Sequence, residues 1–254
     1  MRIRMRQICL VAHDLDQVES DLTAVFGTRV CRRDPGVGKH GLHNFLMPFG
    51  KNFLEVVSPI EEGTTGGRYL DRRGGDGGYM VIMQTSDIKN ARKRVSNLGI
   101  RLVADGVLED TDGIQLHPKD LPGAIAELRW NEGDDDDAGP WWPAGPDWKP
   151  AVRTHKIKAL TAAELQSNHP AALAARWSEA LDKPVERDES GAPTIALADA
   201  ALRFVEDEDG RGLGLGGLDV ACTNRAAVLE AAEALGCRES DEQVRVCGMR
   251  FRLV

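Results

Sequence analysis

The sequence lacks a basic excess, a long apolar run and any Cys-x-x-Cys pair, and each absence removes a class of function. Lys and Arg number 32 against 40 Asp and Glu, a formal net charge of −8. Nucleic acids and anionic membranes are met by basic surfaces, so neither is expected as a main partner. Behind the arginine-bearing start, residues 1–6, the apolar run extends only from Ile8 to Ala12. That is too short for a signal-peptide core or a membrane span. The five cysteines, Cys9, Cys31, Cys222, Cys237 and Cys247, are odd in number and scattered. They read as buried free thiols in a reducing, cytoplasmic setting. Two glycine clusters imitate nucleotide motifs without the parts that work. Gly212-Leu213-Gly214-Leu215-Gly216-Gly217 has the spacing G-x-G-x-x-G, but a strand-like run, Leu218–Cys222, follows it where a dinucleotide site needs a helix. Gly74–Gly78 has neither the lysine nor the hydroxyl of a phosphate loop. No nucleotide cofactor is expected.

What is present is apolar mass, 42% of 254 residues, enough for one large domain or two ordinary ones. Two short strand-like runs stand out, 52–59 and 124–130, each mostly apolar with one carboxylate, Glu55 and Glu127. Alternation along a strand puts each glutamate on one face with every second apolar neighbour. On a buried face that charge costs several kcal/mol unless it is paired, protonated or metal-bound.

The two glutamates are 72 residues apart, as are Gly27 and Gly99, and Asp14 and Asp87 are 73 apart. Strand carboxylate, helix stop and helix start thus keep one offset to within a single residue, the mark of an internal duplication. The first copy reads as strand Ile8–Ala12, a helix with Val18, Leu22, Val25 and Phe26 at helical spacing, strand Thr28–Arg32, a loop over 34–41, and the hairpin Leu42–Met47 with Phe53–Val57. The loop 61–78 leads to the second copy: strand Tyr79–Thr85, a helix from Asp87, and strands 101–104, 113–116 and 124–128. Residues 132–153 break the pattern with an acidic run, Asp134–Asp137, and a proline-rich stretch whose Trp141, Trp142 and Trp148 are expected to pack. From Thr154 the grammar returns: strand His155–Leu160, a helix from about Pro170, strands Thr194–Leu197 and Ala201–Val205, then Gly217–Cys222, helix Ala226–Leu235 and strands in 243–254. The expectation is an α+β fold of four βαβββ units, with domains at 1–131 and 154–254 and a linker at 132–153.

The runs Ile8–Leu15 (Ile-Cys-Leu-Val-Ala-His-Asp-Leu), Phe53–Pro59, Ser86-Asp87-Ile88 and His117–Gly123 before Glu127 give a chain that resembles the vicinal oxygen chelate superfamily of glyoxalase I, bleomycin-resistance proteins and extradiol dioxygenases. The resemblance implies tandem glyoxalase-like half-open β-barrel domains with a small-molecule ligand inside, the second domain shorter and degenerate. It also implies a divalent metal, held from the first and last strands of each unit by Gln7, Glu55, Met80 and Glu127. Met80 stands where a histidine is usual, and a thioether is a poor ligand for an oxygen-rich site. Without a metal, Glu55 and Glu127 would share a proton or pair with an arginine. The matching positions in the second domain are His155, Arg203, Gly217 and Arg252, where two arginines cannot hold a cation.

His43 and His117 precede the glutamates by similar distances and are candidates for acid–base work. The resemblance implies a lyase or isomerase acting on an oxygenated metabolite, with Glu55 or Glu127 as base or metal ligand. The alternative it implies is a protein that sequesters a drug or metabolite without turnover. Extradiol dioxygenase chemistry is excluded, since neither domain offers the two-His-one-carboxylate iron set. Both a monomer and a homodimer are compatible with four units in one chain.

Overall fold

The computed structural model describes residues 1–133 and 136–254, so Asp134 and Asp135 of the acidic run lie outside the described residues. Strand β1 (Ile3–Val11) begins five residues before the run expected from apolarity, because Arg4 and Arg6 are buried within it. Helix α1 (Leu15–Phe26) follows, with Asp14 Oδ1 accepting from Gln17 N at 3.0 Å and a buried stripe of Val18, Leu22, Val25 and Phe26. The strand expected at 28–32 is a single bridge between Arg32 and Leu46. Thr28 is instead tied back to the helix end, its hydroxyl donating to Leu22 O. The loop at 34–41 holds a 3-10 turn, Pro35–His40, capped by Asp34.

The hairpin β2 (Leu42–Phe49) and β3 (Asn52–Pro59) is in register with Leu46 opposite Glu55. Helix α2 (Thr65–Arg73) forms where a glycine- and threonine-rich loop was expected. Its cap, Thr64 Oγ1 accepting from Gly67 N at 2.9 Å, and the burial of Leu70 outweigh the low helix propensity of two glycines. The second copy supplies β4 (Gly77–Thr85), α3 (Ile88–Asn97), β5 (Leu102–Val107), β6 (Thr111–Leu116) and β7 (Ile125–Asn131). The later half supplies β8 (Ile157–Gln166), α4 (Pro170–Leu181), β9 (Glu186–Arg187), β10 (Pro193–Ala196) and β11 (Ala201–Val205). It ends with β12 (Gly214–Cys222), α5 (Arg225–Ala234), β13 (Gln243–Val246) and β14 (Met249–Leu253). Strand β8 starts two residues after His155 and runs six past Leu160. Its second half, Thr161–Gln166, carries Ala162, Ala163, Glu164, Leu165 and Gln166, helix formers that disguise a strand.

Two seven-stranded sheets result, ordered β2-β3-β1-β4-β7-β6-β5 and β13-β14-β12-β8-β11-β10-β9, and neither order closes on itself. The fold is α+β, built from repeated βαβββ-type units, the first and fourth of which have only a single bridge (Arg32–Leu46 and Arg238–Val244) in place of the strand after the helix. The chain also divides into two compact units, each with strands from both sheets. The first comprises Met1–Gln7, Tyr79–Trp142 and Ala162–Leu215; the second comprises Ile8–Gly78, Pro143–Thr161 and Gly216–Val254. Within the first, Trp177 is fully buried beside Phe204 and donates from Nε1 to Pro122 O at 2.8 Å. Within the second, Phe26 packs against Phe49 and Phe251, and Trp148 meets Phe53 edge-on. Trp141 and Trp148 are buried, whereas Trp142 is 41% exposed.

Candidate functional site

In the first unit the site is a polar sheet face. Parallel pairing sets Met80 beside Ile125, Ile82 beside Glu127 and Gln84 beside Arg129; antiparallel pairing sets Gln115 opposite Glu127 and Gly113 opposite Arg129. Paired residues share a face, so Met80, Gln84, Gln115, Glu127 and Arg129 lie together. The other face carries Val81, Met83, Ile114, Leu116, Ala126 and Leu128, all fully buried. Helix α3 packs on β6 and β7 through buried Ile88, Ala91 and Val95.

Glu127 has 3% of its surface exposed, and both its oxygens are engaged. Arg129 Nε donates to Oε1 at 2.6 Å and Gln115 Nε2 to Oε2 at 2.8 Å. Arg129 also donates from Nη1 to Thr111 Oγ1 at 2.9 Å, and its guanidinium lies over the Trp142 ring at 5.6 Å. Gly113 makes room for it: a Cβ there would stand 2.9 Å from Arg129 Nη2. Two acceptors in buried side chains of this unit, Gln84 Oε1 and Asn131 Oδ1, have no hydrogen-bond partner among the described residues. Gln7, also in the first unit, is buried, with Oε1 accepting from Trp141 Nε1 at 2.6 Å.

His117 closes β6 as the first residue of a turn. Its carbonyl accepts from Asp120 N and Leu121 N, and its Nδ1 accepts from Lys119 N at 3.1 Å, which leaves the ring proton on Nε2. Beside it, Arg101 binds Asp120 with two nitrogens at 2.7 and 2.8 Å and holds that carboxyl well below the usual carboxylate range.

In the second unit Glu55 is 8% exposed, and Asn44 Nδ2 donates to its Oε1 at 2.6 Å. Asn44 Oδ1 accepts from Asp34 N, which orients the amide. His43 is exposed on the opposite face of β2, opposite Ser58.

The resemblance implied Gln7, Glu55, Met80 and Glu127 around one cation; Gln7, Met80 and Glu127 share the first unit with Arg129, a residue that reading missed, and Glu55 belongs to the second unit. The detectable signal was the spacing Glu-x-Arg on a strand, which puts a guanidinium on the carboxylate's own face. These donors do not fit a divalent metal. Glu127 is already neutralised, the Gln7 carbonyl oxygen is occupied by an indole N–H, and Met80 offers sulfur. Among the described residues no group of three or more His, Cys, Asp or Glu is arranged to hold a metal ion.

The arginines of the second sheet are paired inside it. Arg203 stands in register with Glu164 and donates to it from Nη2 at 2.7 Å; Arg252 stands in register with Asp219 and donates from Nε at 3.0 Å. Each pair repeats the register of Ile82 with Glu127, with the acid moved to the first strand. His155 is exposed ahead of β8 and lies beside Gly27. The Gly212–Gly217 cluster runs into β12, a strand.

Comparison with known proteins adds the family. The profile of the glyoxalase-like domain matches residues 8–181. An ethylmalonyl-CoA/methylmalonyl-CoA epimerase of Cereibacter sphaeroides is 24% identical over 133 residues, which is 49% of this chain and 96% of that protein. A hypothetical protein from Staphylococcus aureus has the same fold, with a TM-score of 0.69 at 11% identity over 100% of this chain and 99% of its own. A mutant 4-hydroxymandelate synthase from Streptomyces coelicolor gives a TM-score of 0.65 at 15% identity, over 94% of this chain and 77% of its own. Among the described residues no helix is long and apolar enough to cross a membrane.

Proposed function

The chain belongs to the glyoxalase-like family, and from that membership we propose that it is a small-molecule enzyme of isomerase or lyase type, moving a proton beside a carbonyl of an oxygenated metabolite. One observation carries the reading: both repeat-related glutamates are buried, and each accepts a hydrogen bond from an amide side chain on the next strand. Asn44 serves Glu55 and Gln115 serves Glu127. A buried carboxylate is costly to a fold, and its recurrence at one position of two copies supports a task in common. Removing a proton next to a carbonyl needs a positioned base and a donor or cation for the enolate oxygen. His43 has no part in this proposal, since it stands on the face away from Glu55. His117 enters as an Nε2–H donor.

The test is deuterium exchange. The protein is incubated in D2O with a panel of carbon acids (2-substituted acyl thioesters, α-hydroxyketones and hemithioacetals), and exchange at the α-carbon is followed by NMR. Glu55→Gln or Glu127→Gln is expected to slow the exchange by about 100-fold or more. Undiminished exchange in both variants would refute the reading. A second reading, binding without turnover, is favoured by the engagement of both Glu127 oxygens. Ligand affinity in wild-type protein with no exchange from any panel member would establish it.

A further inference from the structure

We propose that Arg129 is a built-in cation: the first unit holds a guanidinium where the family resemblance implied a metal, and its open edge receives an anionic oxygen of the ligand. The inference rests on the reading above and narrows the substrate class to a metabolite bearing a carboxylate, or an enolate formed from one.

The residues around Arg129 hold its head in place. Nε is bound to a carboxylate with 4% side-chain exposure, Nη1 to the Thr111 hydroxyl, and the plane lies over Trp142. The strand partner is Gly113, whose missing Cβ leaves the space that Nη2 and Cζ occupy. With three sides fixed, Nη2 is the remaining edge. It makes no hydrogen bond to a described residue, and the side chain keeps 16% exposure. Trp142 adds an exposed aromatic surface next to that edge. A planar fork with a free edge suits a carboxylate or enolate oxygen.

Glu127 completes the logic. In a metal site its two oxygens would coordinate the ion; here they hold the guanidinium and Gln115, so the carboxylate orients a fixed positive charge. A divalent cation at the same place would have to displace Arg129 into a face already filled by Thr111 and Trp142. The positive charge is therefore supplied by the chain and needs no loading.

The experiment uses the full-length wild-type chain, Gly113→Ala, and the charge-balanced double variant Glu127→Gln/Arg129→Met, which leaves no buried charge unpaired. Each protein is equilibrated with Zn2+, Ni2+ and Mn2+ and freed of loose metal, and the retained metal is measured. Each is also melted in sodium malonate against sodium chloride at equal ionic strength. Wild-type protein is expected to retain far less than stoichiometric metal and to gain melting temperature with malonate. The double variant should bind malonate roughly 10- to 100-fold more weakly. Gly113→Ala, which keeps both charges and displaces only the guanidinium, should weaken it in the same direction. Stoichiometric metal in wild-type protein that is lost in the double variant would overturn the inference. So would a wild-type melting temperature unmoved by malonate, or a malonate response unchanged in the double variant. Deuterium exchange separates the two levels. Exchange that depends on Glu55 in a protein that binds metal at Glu127 would sink the inference and leave the enzyme reading standing.

Discussion

Arg129→Met probes the site more sharply than any other single change, because the two partners of its ion pair are unequally buried. The Glu127 side chain is 4% exposed and that of Arg129 16%. Deleting the arginine leaves a nearly sealed carboxylate with one neutral donor, Gln115. Breaking a buried pair in this way costs about 3–5 kcal/mol. In a chain of this size 1 kcal/mol lowers the melting temperature by about 2–4 °C, so the fall should be roughly 6–20 °C. Glu127→Gln is milder, about 1–2 kcal/mol, because Arg129 keeps Thr111 and Trp142 and some contact with water. The double variant, with neither charge, should be more stable than Arg129→Met alone, so the second substitution restores part of what the first removes. Urea unfolding followed by tryptophan fluorescence on the four proteins closes the cycle. Raising the salt from about 0.1 to about 0.5 M should change the gap little, since buried pairs are weakly screened. An Arg129→Met variant within about 0.5 kcal/mol of wild type, or a double variant worse than it, would refute the burial argument.

Three further outcomes are expected. Gly50→Ala should cost about 3 kcal/mol or more, since φ is +65° and a Cβ would lie 2.0 Å from the Lys158 carbonyl oxygen; Gly74→Ala, at φ +70° with nothing within 4 Å, should cost only about 1 kcal/mol, and equal melting curves for the two would defeat the clash argument. Arg101 holds the Asp120 carboxyl below its ordinary range. The stability gap between wild type and Asp120→Asn should therefore be fully present at neutral pH, start to close below about pH 4, and vanish only as pH falls through the depressed value; a gap that widens on acidification would contradict it. Burial pushes the Cys31 thiol up to about 11, so its alkylation by iodoacetamide, read by peptide mass spectrometry, should rise about tenfold per pH unit from pH 8 to 10. A plateau before pH 9 would show an ordinary thiol.

Several elements could be read from the chain because their signals are local. The capping carboxylate of Asp14, the stripe Val18–Leu22–Val25 and the stop at Gly27 lie within one helix, and α1 forms there. The misses have equally physical causes. The segment 28–32 has strand-like residues but only one pairing site, and pairing is decided by distant chain. Helix α2 was hidden by its glycines, which cap and tertiary burial override. Half of β8 was hidden because Ala-Ala-Glu is favourable in a helix and was placed in a strand by its neighbours.

The same division holds for the site. The sequence by itself determined the repeat, the family resemblance and the place of Glu55 and Glu127 on their strands, because a periodicity of two and an offset of 72 residues are properties of one dimension. Only the tertiary structure decided what those glutamates meet. Arg129 turns onto Glu127 because Gly113, on another strand, leaves it room. Trp141, 134 positions from Gln7, takes the amide oxygen that a metal would have used. Registers across strands and burial are set by how distant segments pack, and they convert a set of cation ligands into a carboxylate that holds a cation of the chain's own.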